Sequence, residues 1–341
     1  MLRHSSDTEP GITRKRIGRA WGYFDAKGKR IADRGEIDRL NSVALPPAYT
    51  DAWYCADPNG HLQATGMDAR GRKQYRYHPD FRAKRDGAKF DGLLEFGKAL
   101  PKLRRRVDRD VRRRKLSRDT VLAAVLRLLD TEHIRVGNEA YARDNKSFGA
   151  TTLRSRHLKR RGSALTMRFT GKHGIVHEAT ITDSNLKRIV KRAQELPGQM
   201  LFQFVNGSGE PQAVTSSDVN DYIREATGGE FSAKHFRTWG ASVIAFDQLL
   251  KKADAARISV KTVVEPVAEA LGNTVAMSRK SYVHPALIEA IKDEPRDPLD
   301  GMDRPRARKW LSSAEVGLLA YLAKLQSPRR RRVRTTDSSP A

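Results

Sequence analysis

Short stretches in which apolar and polar residues alternate dominate the first part of the chain. Each is rich in aromatic residues, and Gly, Pro and Asp fill the segments between them. A two-residue period bounded by turn residues predicts β-strands. Four strands are predicted in this way, over residues 19–25, 52–57, 61–66 and 73–78.

From about residue 89 the apolar period becomes helical. Apolar residues recur at steps of three and four between residues 121 and 129, which predicts an amphipathic helix. Residues 164–170 and 175–181 alternate and flank Gly171-Lys172-His173-Gly174, which predicts a β-hairpin with glycine at both ends of its loop. Further helices are predicted over 134–142, 185–196, 218–227, 233–253 and 260–271, and after Pro285.

These patterns predict an α+β protein. Residues 1–88 would form a small β-rich domain, and residues 89–296 a mainly α-helical domain with one β-hairpin. Residues 297–341 would form a basic, disordered extension, because RRRRVR at 329–334 lies among Pro and Ser.

The chain has 65 Lys and Arg against 40 Asp and Glu, a formal net charge of +25. This charge is clustered, since residues 101–118 alone hold ten Lys and Arg against two Asp. Clustered positive charge favours double-stranded DNA as the partner, because duplex DNA carries a negative charge about every 1.7 Å. There are two alternatives. The charge could only keep the protein soluble. The basic tail could instead bind a membrane surface, which would need an amphipathic anchor, and residues 310–325 are a weak candidate for that anchor.

Other classes of protein are disfavoured. One cysteine, Cys55, cannot form an intramolecular disulfide or a cysteine-based zinc site. The opening MLRHSSDTEP lacks the apolar region of a signal peptide, and no run approaches about 18 apolar residues. We therefore expect a soluble, cytoplasmic protein without a membrane partner.

Four segments of the helical region carry polar residues that helix packing does not require. Taken singly, each has a structural explanation: Arg135 could pair on a helix surface, Lys172 could be a turn residue, and Tyr282 could belong to the core. The four segments are HIRVGNEAYARDN (133–145), FTGKHG (169–174), SAKHFRTWGAS (232–242) and LGNTVAMSRKSYVHP (271–285).

Their order is more informative than any one of them. The four segments contain, in order, an arginine, a lysine on a hairpin, Lys-x-x-Arg, and Leu-Gly-Asn with a tyrosine nine residues after the Asn. This series resembles the catalytic series of type IB DNA topoisomerases. GRKQYRYHP (71–79) resembles the DNA-contacting strand of that family. The resemblance spans roughly residues 12–295 and is to the small bacterial and poxvirus-like branch.

The resemblance implies a role for each residue. Tyr282 would attack phosphorus to form a 3′-phosphotyrosyl link and release a 5′-hydroxyl, so that resealing needs neither ATP nor a metal. Arg135 and Arg237 would bind the nonbridging oxygens and the charge that develops on them. Lys172 would protonate the leaving 5′-oxygen, and Lys234, one helical turn before Arg237, would assist. No cofactor and no metal site are expected.

Asn273 stands where many members of the family, and most tyrosine recombinases, have a histidine. An amide still donates a hydrogen bond to a phosphate oxygen, although it carries no charge and shuttles no proton. The same choice occurs in bacterial members, so Asn273 is expected to be compatible with activity.

The resemblance also implies DNA contacts. The aromatic strand would lie in the major groove, while a helix beyond Arg135 enters from the other side, so that a monomer closes around the duplex. The alternative is that the two tyrosines of the strand only stack on the sheet. The expected contact residues are Arg72, Gln74, Tyr75 and Tyr77 on the strand and Asn138 and Tyr141 on the helix.

Two other functions compete with this one. A tyrosine recombinase would share the chemistry, but it usually has His at the position of Lys234 and a helical N-terminal domain. An architectural DNA-binding protein would have the charge, with Tyr282 as a structural residue. We expect a nucleoid-associated, monomeric type IB topoisomerase that relaxes supercoils of both signs by transient single-strand cleavage, swivelling and religation.

Overall fold

The computed structural model describes residues 1–18, 20–162, 164–251, 258–292 and 305–326. The chain divides into two units, Met1–Lys89 and Phe90–Ala341. In the described ranges, no helix is long and apolar enough to cross a membrane.

An antiparallel sheet of five strands, in the order β2-β1-β3-β4-β5, forms the first unit. Buried Tyr23 and Tyr54 meet edge to face, with ring centroids 5.4 Å apart, and a helix covers the sheet beside them. The strands are β1 (Ile12–Ile17), β2 (Ala20–Phe24), β3 (Thr50–Tyr54), β4 (Leu62–Met67) and β5 (Lys73–Tyr77), and the helix is α1 (Arg34–Ser42).

The four predicted strands are confirmed as β2 to β5, whereas β1 and α1 were not predicted. The sequence of β1, ITRKRI, has apolar residues only at its two ends, so no alternation is visible. In α1 only Ile37 and Leu40 are apolar, too few to establish a helical period.

The second unit is mainly helical. Helix α2 (Pro79–Asp91) leads into it from the first unit. Its core is built on α8, whose Trp239 is fully buried among side chains of the neighbouring helices. The remaining helices are α3 (Leu93–Val111), α4 (Arg118–Glu132), α5 (Glu139–Asn145), α6 (Ser184–Gln194), α7 (Ser216–Thr227), α8 (Ala233–Lys251), α9 (Val260–Leu271), α10 (Val275–Ser281), α11 (Pro285–Lys292) and α12 (Ser313–Gln326).

Two small antiparallel sheets complete this unit. The predicted hairpin is confirmed as β7 (Ala164–Thr170) and β8 (Val176–Ile181), and β6 (Leu158–Arg161) extends it to three strands. Strands β9 (Gln203–Val205) and β10 (Pro211–Ala213) form a separate pair. The hairpin loop between β7 and β8 carries Lys172.

The basic segment 101–118 is mostly paired inside its own unit. Arg104 bonds Asp130 and Glu315, Arg118 lies 2.6 Å from Asp218, and five other arginines of the described chain make similar pairs nearby. The paired residues include the fully buried Asp110, which also accepts from the Tyr222 hydroxyl at 2.8 Å. Much of this charge therefore holds helices together. The five arginines are Arg106, Arg109, Arg112, Arg113 and Arg127.

Helix α12 lies in the segment that the sequence analysis assigned to a disordered extension. It packs against α3 and α8, with Leu318 and Leu322 buried, so its apolar residues belong to the core rather than to a membrane anchor. Glu315 fixes it by accepting from Arg104 at 2.7 Å and from Trp239 at 3.0 Å. The RRRRVR tail at 329–334 lies outside the described residues.

Replacing Glu315 with Ala is expected to destabilise the helical unit by about 3 kcal/mol, because removing one member of a buried ion pair leaves the other charge uncompensated. The measurement is urea unfolding followed by circular dichroism. Glu95→Ala is the control, since Glu95 pairs with Lys98 at 2.7 Å in an exposed position and contributes little. Equal shifts of the urea midpoint in the two variants would contradict the structural role of α12.

Candidate active site

Arg237 is the most deeply buried of the candidate residues, with 4% of its surface exposed. It lies on α8, and its two terminal nitrogens donate to the carbonyls of His133 and Leu271, the latter at 3.0 Å. His133 is the C-cap of α4, and Leu271 is the last residue of α9. The guanidinium therefore sits at the negative ends of two helix dipoles, which stabilise a buried cation.

Burial, followed by repulsion from Arg135, lowers the pKa of Arg237 to about 10. At neutral pH the guanidinium is still protonated, because its pKa lies about three units above the pH. Its Nε is buried and has no hydrogen-bond partner in the described part of the chain. Arg237 thus keeps a full charge and one unused donor.

Tyr282 follows α10 directly and lies against both arginines. Its hydroxyl is 3.3 Å from Nη2 of Arg135, and its ring centroid is 5.0 Å from the guanidinium carbon of Arg237. The backbone beside it is anchored by Ser242, whose hydroxyl accepts from the His284 amide at 3.1 Å and donates to the Thr238 carbonyl at 2.9 Å. The phenol oxygen is thereby held in a strongly cationic environment.

Arg135 lies in an extended connection, so the predicted helix over 134–142 is wrong for its first five residues; residues 139–142 are helical and belong to α5. Helix α4 ends at Glu132 because His133 adopts a left-handed conformation with φ 50°, and Gly137 at φ 104° separates Arg135 from α5, which begins at Glu139. The carbonyl of Arg135 accepts from the Ala150 amide at 2.8 Å. This pairing, and not a helix, fixes the half-buried arginine toward Tyr282.

Asn273 lies in the connection between α9 and α10, within reach of both arginines. With its oxygen toward Nη2 of Arg237 at 3.2 Å, its amino group donates to the Gly272 carbonyl at 3.1 Å. The opposite amide orientation makes one bond, to Arg135 at 3.4 Å. We assign the first orientation because it satisfies both ends of the amide.

Contacts thus bring together Tyr282, Arg135, Arg237 and Asn273. The two lysines differ from these four residues, because both lysine side chains are exposed at the surface. Lys172 opens the loop between β7 and β8, which the Gly171 amide closes by donating to the Ile175 carbonyl at 2.7 Å. Lys234 lies in the first turn of α8, which reaches the surface, whereas Arg237 one turn later is inside.

Two histidines of this site were not predicted from the sequence. The carbonyl of His133 accepts from Arg237, and the half-buried ring of His177 lies close enough to Arg135 and Arg237 for both to lower its pKa. Neither has a distinguishing sequence signal. His133 acts through its backbone carbonyl, which any residue would provide. His177 is brought to the site by two loops that are distant in sequence, so no local pattern marks it.

Burial lowers the pKa of five histidines below the ordinary 6.5, which predicts a loss of stability in mild acid. Below about pH 6.5 the unfolded chain binds more protons than the folded one, so the free energy of unfolding decreases as the pH falls. The melting temperature is therefore expected to be lower at about pH 5.5 than at about pH 7.5 when the ionic strength is held constant. A melting temperature that stays constant or rises at the lower pH would contradict this prediction. The five are His133, His157, His177, His235 and His284.

Three of the four expected DNA contacts of the first unit lie on strand β5, and the fourth, Arg72, immediately precedes it. Asp68 holds two of them, lying 2.7 Å from Arg72 and accepting from the Gln74 amide at 2.9 Å. Tyr75 is 49% exposed, and its ring stacks on that of Tyr77 with centroids 6.2 Å apart. Tyr77 is half-buried and also packs against Phe81, with ring centroids 5.5 Å apart, so Tyr75 is the more accessible of the two tyrosines on this edge strand.

The other two expected contacts lie at the start of α5. Asn138 precedes the helix as its N-cap, accepting from the Tyr141 amide at 3.1 Å, so its side-chain oxygen already has a structural partner. Tyr141 is 53% exposed in the first turn. Both residues were predicted on a helix continuing from Arg135, which the break at Gly137 excludes.

Comparison with known proteins gives matches in both units. Residues 78–297 match the sequence family described as the catalytic core of eukaryotic DNA topoisomerase I, and residues 20–68 match the N-terminal domain of bacterial DNA topoisomerase IB. The chain is 32% identical over 310 residues to DNA topoisomerase 1B of Acanthamoeba polyphaga mimivirus, covering 85% of this chain and 92% of the relative. It is 20% identical over 277 residues to DNA topoisomerase 1B of vaccinia virus (strain Copenhagen), covering 77% and 84%.

Among solved structures, the XerH site-specific recombinase bound to its palindromic difH substrate is similar at 17% identity and a TM-score of 0.36. The match covers 57% of this chain and 51% of the recombinase, so this chain spans about half of that protein.

The sequence matches define a DNA topoisomerase, an isomerase whose substrate is DNA. With the catalytic core matched over residues 78–297 and a viral relative 32% identical over most of both chains, the protein belongs to the type IB DNA topoisomerase family. The resemblance identified from the sequence is confirmed.

Proposed function

We propose that this chain relaxes positive and negative supercoils by transient cleavage of one DNA strand, without ATP or a metal. Tyr282 attacks the scissile phosphorus, and a 3′-phosphotyrosyl bond forms as the bond from phosphorus to the 5′-oxygen breaks. The observation that carries the proposal is the position of the Tyr282 hydroxyl, 3.3 Å from Arg135, with Arg237 against its ring.

The two guanidinium groups supply the electrostatic part of the mechanism. A phenol with an ordinary pKa of about 10 is a weak nucleophile at neutral pH, and neighbouring positive charge favours its ionised form. The same charges bind the nonbridging oxygens as negative charge develops on them. Arg237 is suited to this because helix ends hold two of its nitrogens while Nε stays unused.

Proton transfer is assigned to the lysines. The Tyr282 hydroxyl loses its proton to solvent as the phosphotyrosyl bond forms. Lys172 gives a proton to the departing 5′-oxygen, and Lys234 assists at the phosphate. Asn273 donates to a phosphate oxygen after rotating from the Gly272 carbonyl. In religation the 5′-hydroxyl returns its proton and attacks phosphorus, so that the phosphotyrosyl bond is exchanged for the original phosphodiester.

We further propose that a monomer binds one duplex through both units, in association with the nucleoid. The first unit would contribute the face of β5, with Tyr75 and Tyr77 against bases or sugars and Arg72 and Gln74 released from Asp68 toward DNA. The second unit would contribute Tyr141 and the site itself, with Asn138 at the same helix start.

Tyr75→Ala is expected to weaken duplex binding by about tenfold, because stacking on an exposed aromatic side chain is worth about 1–3 kcal/mol in nucleic-acid complexes. Tyr75→Phe keeps the ring and serves as the matched control. Both variants would be compared by fluorescence anisotropy with a labelled duplex at fixed salt. Wild-type affinity for Tyr75→Ala would remove β5 from the DNA interface.

The proposed function is tested by plasmid relaxation in EDTA without ATP, on positively and negatively supercoiled substrates. Wild type should relax both, and Tyr282→Phe neither. Strand exchange between duplexes without relaxation would favour a recombinase, and binding without either activity would favour an architectural protein.

A further inference from the structure

The ring of His177 lies between two glycines, and each glycine immediately precedes a site residue. Gly171 precedes Lys172, and Gly272 precedes Asn273. A Cβ atom on Gly171 would lie 2.6 Å from Cδ2 of His177, and one on Gly272 would lie 2.7 Å from Cε1. Both backbones therefore approach the same ring more closely than any other residue type allows.

The ring is itself fixed from the third side. It stacks on buried Phe169, with centroids 5.2 Å apart and an interplanar angle of 15°. Burial, and then the charges of Arg237 and Arg135, lower the pKa of His177, so the imidazole is neutral at physiological pH. His177 is thus a rigid, uncharged spacer between two loops that lie about 100 residues apart in sequence.

We propose that His177 is a positioning residue that sets the place of the Lys172 loop relative to Asn273 and the arginine pair. The inference rests on the proposed function and extends it. Lys172 is exposed at the loop, so the direction in which it reaches depends on the backbone of Gly171. Removing the ring would leave a space into which both loops relax, and the ammonium would lose its alignment with the 5′-oxygen.

The test compares two leaving groups in single-turnover cleavage by the full chain. One duplex carries the ordinary phosphate, and the other carries a bridging sulfur in place of the 5′-oxygen at the scissile phosphate. A thiolate departs without a proton, because a thiol has a pKa of about 8.5 whereas that of an alcohol is close to the 15.7 of water. Loss of general acid catalysis therefore slows only the oxygen substrate.

His177→Ala is expected to cleave the oxygen substrate at least about tenfold more slowly than the wild type and the sulfur substrate at nearly the wild-type rate. The tenfold loss is a part of the 10²–10⁴-fold acceleration that general acid catalysis typically provides. Lys172→Ala should show the same pattern with a larger ratio, whereas Arg135→Ala should be slow on both substrates. The ratio of the two rates is measured on one preparation, so it does not depend on the folded fraction.

A second pair of variants tests the packing directly. Gly171→Ala alone should produce the same defect, because its methyl group displaces the ring. Adding Gly171→Ala to His177→Ala should then restore part of the oxygen rate, because the methyl group occupies the vacated space, so the effects are less than additive.

Two results would overturn the inference: equal slowing of both substrates by His177→Ala, or no slowing of either. Cleavage of neither substrate by the wild type would overturn the proposed function itself, and the two failures are therefore distinguishable.

Discussion

Tyr282→Phe is expected to abolish covalent cleavage of duplex DNA while leaving its affinity for DNA unchanged. The substitution removes only the hydroxyl, which is the atom that would bond to phosphorus, and the ring can keep its place 5.0 Å from the Arg237 guanidinium. The loss should exceed about 10⁴-fold, because no other group can form the intermediate. Single-turnover cleavage of a labelled duplex, with binding measured in parallel, gives both quantities.

Tyr321→Phe is the matched control for this variant. Tyr321 lies on α12 and donates to the Ala286 carbonyl at 3.2 Å, so it also loses one hydroxyl and one hydrogen bond. The Tyr321→Phe variant should cleave the duplex at the wild-type rate. Covalent cleavage by Tyr282→Phe would remove Tyr282 from the mechanism.

Arg237→Ala is expected to slow cleavage by at least about 10²–10³-fold, the cost of removing one donor that stabilises a developing charge. Arg237→Lys should also be slow, because one ammonium cannot satisfy the carbonyls of His133 and Leu271 and still present a planar donor to phosphate. The measurement is the single-turnover rate at saturating enzyme, so that weaker binding does not contribute.

Arg224→Ala provides the comparison for a simple loss of positive charge, since Arg224 pairs with Asp221 on an exposed face of α7. Melting curves of both variants separate loss of chemistry from loss of fold, because Arg237→Ala also leaves two helix-end carbonyls without their donor. A folded Arg237→Ala protein that cleaves within about threefold of wild type would contradict the assigned role.

Local sequence patterns predicted the elements whose signals are local. The helix over 260–271 coincides with α9, because its apolar period is uninterrupted and Gly272 ends it in a left-handed conformation. The hairpin that carries Lys172 was predicted for a similar reason, since alternation on both sides of a glycine-bounded loop is a short-range pattern. The order of the motifs then identified the family.

Other features depend on contacts between distant residues. The predicted helix through Arg135 failed because His133 and Gly137 both adopt positive φ, and the period of their apolar neighbours does not report this. The bonds from Arg237 to two helix ends, and from Arg104 to Glu315 on α12, join residues 34 to 211 positions apart. Such pairs are decided by tertiary packing, so no window along the sequence contains them.

Isolation of the covalent protein–DNA adduct tests the central claim most directly. Wild type would be mixed in EDTA with a duplex whose cleaved strand loses a short 5′-hydroxyl fragment, denatured, digested with protease and examined by mass spectrometry. We predict a single adduct in which the Tyr282 oxygen bears the 3′-phosphate of the retained strand, with a 5′-hydroxyl on the released fragment. Attachment at another residue, a 5′-phosphate link, or no adduct would contradict the proposed mechanism.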